Sequence, residues 1–76
     1  MDNIGTVIMA SESNLKEIES DIKKTGKPSN ESLDQANDIL QKLNLEVDGI
    51  NDNFMASAIN EIIDLYEKIL KEYKTS

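Results

Sequence analysis

Residues 54–73 read FMASAINEIIDLYEKILKEY, and the reading of this stretch decides the fold. Met55, Ile59, Ile62, Tyr66, Ile69 and Tyr73 recur at alternating spacings of four and three, the signature of one stripe along an α-helix. Ala58 and Leu65 widen the stripe on one side, and Ile63 and Leu70 on the other. At about 100° per residue the apolar arc spans about 160°. Ser57, Asn60, Glu61, Asp64, Glu67, Lys68, Lys71 and Glu72 all fall outside it. One neighbouring helix does not cover so wide an arc. The segment demands two, from its own chain or from a partner.

Working outward toward the N-terminus, Leu33, Ala36, Leu40, Leu43, Val47 and Ile50 form a second stripe, widened by Ile39, with Leu45 pointing away from it as an exposed contact. Extending this frame past Phe54 lands on Ser57, Glu61, Asp64 and Lys68, so the frame slips between the two stripes. The slip coincides with DGINDN at 48–53, a string of turn formers, which predicts a helix end and a new cap at Asn51, Asp52 or Asn53. One long helix kinked at Gly49 is the alternative. Further back, TGKPSN at 25–30 is a strong breaker: Gly26 suits the left-handed position after a helix, Pro28 blocks continuation, and Ser29 or Asn30 caps the next helix. Before it, Ile4, Ile8, Leu15, Ile18 and Ile22 keep a four–three phase if Ser11 fills the gap. This predicts one helix with a polar residue in its seam, against the alternative of a loose arm and a helix starting at residues 11–13.

Five pairs set an acid four residues before a lysine: Glu12 with Lys16, Glu19 with Lys23, Asp38 with Lys42, Asp64 with Lys68, and Glu67 with Lys71. That is the favourable helical orientation, worth about 0.2–0.5 kcal/mol each. The expected fold is an all-α, small three-helix bundle: a helical hairpin at about 3–24 and 30–48 plus a third amphipathic helix at about 52–74. Residues 1–76 are read as a single small helical domain. The expected core is Ile18, Ile22, Leu33, Leu40, Leu43, Val47, Ile59, Ile62, Tyr66 and Ile69.

Composition bounds the function. The 76 residues carry a net charge of −7 and contain no cysteine and no histidine, and all eight basic residues are lysine. Disulfides and thiolate or imidazole metal sites are excluded, and the remaining general bases are carboxylates and lysines on faces expected to be solvated. No catalytic, cofactor-binding or metal-binding residues are expected, and the chain is not expected to be an enzyme. Counted from Asp48, a calcium loop would place Ile50 and Ile59 at ligand positions, so 48–53 is read as a turn. The acidic balance argues against nucleic acid and anionic membrane. Residues 28–67 hold nine acids and one lysine, Lys42, which suits a basic partner. With no lysine-led leader and no apolar run of membrane-spanning length, a cytoplasmic protein is the expectation.

Two family resemblances add to these expectations. Glu31-Ser32-Leu33-Asp34 at a helix start resembles the Asp-Ser-Leu prosthetic-group site of acyl carrier proteins, which are also small, acidic and helical. That resemblance implies Ser32 as a phosphopantetheine attachment site. Glu31 stands where that family usually has aspartate. Lys27-Pro28-Ser29-Asn30, together with Asp64-Leu65, Ile69-Leu70 and Tyr73, is similar to the turn and helix end of type III secretion needle subunits. It implies an assembly subunit. From the residues themselves, the expectation is a non-enzymatic interaction module: a regulator, inhibitor, adaptor or assembly subunit that docks through helix faces. Phe54, Met55, Ile63, Leu70 and Tyr73 are the expected contacts for a protein partner or for a second copy in a homodimer.

Overall fold

A computed structural model describes residues 4–73. Three α-helices succeed one another: α1 Ile4–Thr25, α2 Asn30–Val47 and α3 Asn53–Tyr73. The expected ends at residues 3 and 74 lie outside the described residues. The helix α1 runs unbroken through Ser11, so the loose-arm alternative fails. Separate helices α2 and α3 replace the alternative of one kinked rod.

The boundaries arise from local chemistry. Gly26 takes φ +87° and its N–H donates to the Ile22 carbonyl at 2.8 Å, which closes α1. Ser29 caps α2, its hydroxyl accepting from the Ser32 N–H at 3.1 Å. Asp52 caps α3, its carboxylate accepting from the N–H groups of Phe54 at 2.9 Å and Met55 at 3.2 Å. Two of the expected ion pairs, Glu19 with Lys23 and Asp38 with Lys42, close at 3.3 Å.

The short connections fold α2 back along α1 and α3 back along α2, so α1 and α3 run in the same direction. The result is a rod of 40 × 20 × 20 Å. Among the described residues α2 packs on both neighbours, whereas no Cα atom of α1 comes within 8 Å of one of α3. Val7, Ile18, Ala36, Ile39, Leu43, Ile59, Ile63 and Tyr66 form the buried core. Burying each of the larger side chains contributes about 1.5–3 kcal/mol. Of the expected core, Ile18, Leu33, Leu43, Ile59 and Tyr66 are buried, while Ile22, Leu40, Val47, Ile62 and Ile69 are half-buried at its margin. Val7, Ile39 and Ile63 take the inner places instead. The cause is the central position of α2. Each outer helix turns its buried line toward α2, which brings in Val7 and Ile63 and leaves the side of α3 facing α1 only partly covered.

Candidate functional site

A polar tie links all three helices at mid-height. Tyr66 is fully buried, and its hydroxyl lies 3.1 Å from the Ser11 carbonyl and 3.0 Å from Asn14 Oδ1, where it donates. Asn14 is 3 % exposed and donates through Nδ2 to the Ser32 carbonyl at 3.2 Å and to Gln35 Oε1 at 3.4 Å. The Ser11 hydroxyl donates back to the Ile8 carbonyl at 2.6 Å, so this seam residue satisfies itself locally. Burial pushes the Tyr66 phenol above its ordinary range, so it stays a neutral donor.

A second network ties α1 to the start of α2. The Asp21 carboxylate accepts from the Ser29 N–H at 3.1 Å and from the Ser32 hydroxyl at 2.8 Å. It completes from the neighbouring helix the capping box that a glutamate within α2 would otherwise supply. The Ser29 backbone bond, then the Ser32 hydroxyl bond, holds Asp21 below the usual carboxylate range, and partial desolvation opposes this. Among the described residues no buried side-chain nitrogen or oxygen lacks a partner. Both networks are therefore saturated. They fix register and leave no group aimed at a ligand. Among the described residues no cluster of acids could hold a metal ion.

The serine of the carrier resemblance belongs to this framework. Ser32 is fully buried and donates its proton to Asp21. A prosthetic group needs an accessible serine hydroxyl, and this one is enclosed. The needle resemblance meets the break at 48–52, which separates α2 from α3.

What remains open on the surface is apolar. Phe54 is 86 % exposed, Leu45 76 %, Met9 72 % and Met55 41 %. All four lie toward the end where α1 and α3 begin and α2 finishes. Phe54 and Met55, two of the residues expected as contacts, are exposed, and Leu45 points outward as its register predicts. Leu70 and Tyr73 are half-buried, with Leu70 packed against the core. Ile63 is the exception among the expected contacts: it is 6 % exposed and belongs to the core, because α3 turns that side into α2.

Toward the other end lies a groove that the sequence pattern alone does not reveal. It runs between α1 and α3, holds about 370 Å³, and is lined by Leu15, Ile18 and Ile22 from one side and Leu65 and Ile69 from the other. Glu19 and Lys23 form its α1 rim. The width of the α3 arc called for a second covering neighbour but did not place the opening, which depends on where α1 stands. Comparison with protein-family models, with curated proteins and with solved structures gives no match.

Proposed function

We propose that this chain is a non-enzymatic protein-interaction module that docks a basic protein partner through its apolar helix faces. The observation that carries this reading is the exposure of Phe54, Leu45 and Met9 toward one end of the rod. Large apolar side chains left this exposed on a small chain favour a partner. The net charge of −7 orients and speeds the approach of a cationic one. The buried polar side chains support the same reading, because they are engaged in the internal ties of Tyr66, Asn14 and Ser32.

Affinity capture from host lysate tests it, with the chain and its Phe54→Ser, Leu45→Ser double variant compared by quantitative mass spectrometry. The expected result is a protein retained by the unaltered chain and lost by the variant. Equal recovery of every protein on both would contradict the reading.

A further inference from the structure

We infer that the open seam between α1 and α3 seats a fourth helix, contributed by a cationic amphipathic segment of another protein. The inference rests on the interaction-module reading and adds a second docking site, apart from the Phe54 end. The first ground is geometric. Among the described residues α2 brings Cα atoms within 8 Å of both neighbours, but α1 and α3 keep every Cα pair beyond 8 Å. Tyr66 bridges the gap at mid-height, and below it the floor falls away into the groove.

The second ground is chemical. Leu15, Ile22 and Ile69 are half-buried and Leu65 is 44 % exposed, so the groove presents aliphatic surface with water on one side. Its walls are two parallel helices, and a helix laid between them would complete a four-helix arrangement. Such grooves are read by apolar anchors at helical spacing on the incoming segment.

The third ground is charge, which selects the occupant. Helical spacing puts Glu12 and Glu19 beside Leu15 on α1, and on α3 it puts Glu61 beside Leu65 and Glu72 beside Ile69. The cations along the same edges are Lys16, Lys23, which pairs with Glu19 at 3.3 Å, and Lys68. The rim is therefore acidic by one charge, four acids against three lysines, on a chain of net charge −7. A second copy of the chain would bring another seven negative charges to it. A helix with lysine or arginine flanks complements it.

The test uses the full chain, labelled with ¹⁵N, and three synthetic peptides of about three heptads. One is amphipathic with leucine on one face and lysine elsewhere, one replaces each lysine by glutamate, and one scrambles the lysine peptide. The lysine amphipath is expected to shift amides of residues 15–23 and 62–72. Leu65→Ser is expected to weaken it at least about tenfold, the mark of an anchor residue. Phe54→Ser should leave it unchanged. Equal binding of the glutamate or scrambled peptide would overturn the inference, as would concentration-dependent self-association shifting the same amides. Shifts confined to Leu45, Phe54 and Met55 would overturn the groove while leaving the interaction reading intact. Loss of the captured protein in the double variant decides that reading independently.

Discussion

Tyr66 is the residue on which the packing turns. Its ring fills the space between three helices, and its hydroxyl supplies the only donor that reaches from α3 to Ser11 and Asn14 among the described bonds. Tyr66→Phe leaves the buried Asn14 Oδ1 without its donor and should cost about 1–3 kcal/mol, read from the midpoint of urea unfolding by circular dichroism. The phenol is raised by burial above its reference value of 10.0, so its contribution is complete below pH 10 and lost as pH rises beyond that. The stability of Tyr66→Phe should accordingly fall less steeply above pH 10 than that of the unaltered chain. Asp21 works at the opposite end of the pH range. Its value is lowered from 3.8, so its contribution is present above that pH and lost as pH falls through it. Asp21→Asn should destabilise the chain at neutral pH and flatten its acid limb, a loss measurable by thermal melts at pH 7 and pH 3. Ser11 was legible as a polar seam residue because the apolar phase continues across it. Asn14 was not, because an asparagine outside the apolar stripe reads as solvated until three helices supply its partners.

At the scale of the element, the boundaries were the most legible feature, since each rests on local chemistry. Gly26 with its φ of +87° has open space where a Cβ would stand, so Gly26→Ala meets backbone strain alone and should cost about 1–2 kcal/mol. Ser29→Ala removes the α2 cap and should cost about 1 kcal/mol, and the same urea titrations measure both. The existence of each apolar stripe was equally legible, but its rotation was not. Periodicity identifies a face without saying which edge of it meets which neighbour. Ile63 and Leu65 sit on opposite edges of the α3 stripe. The position of α2 decides that Ile63 is enclosed while Leu65 faces water.

At the scale of the molecule, α2 is the spine and α1 and α3 are two flanks that meet only through side chains. The all-α, three-helix architecture was readable from the sequence, and the wide α3 arc already implied more cover than one neighbour gives. The groove was not readable, because its existence depends on how far apart two non-adjacent helices stand. Among the described residues no helix is long and apolar enough to cross a membrane. Phe54→Ser, at a side chain 86 % exposed, should leave stability within about 0.5 kcal/mol. It is therefore a clean probe of docking at the Phe54 end and a control for the groove. Site-specific photocrosslinking in the native host tests the docking claim most directly, with the photoreactive residue placed at Leu65 or, as a control, at the outward-facing Lys71. A discrete adduct with a different, basic protein is expected from position 65 and none from position 71. Equal adducts from both positions, or an adduct of two copies of this chain from position 65, would contradict it.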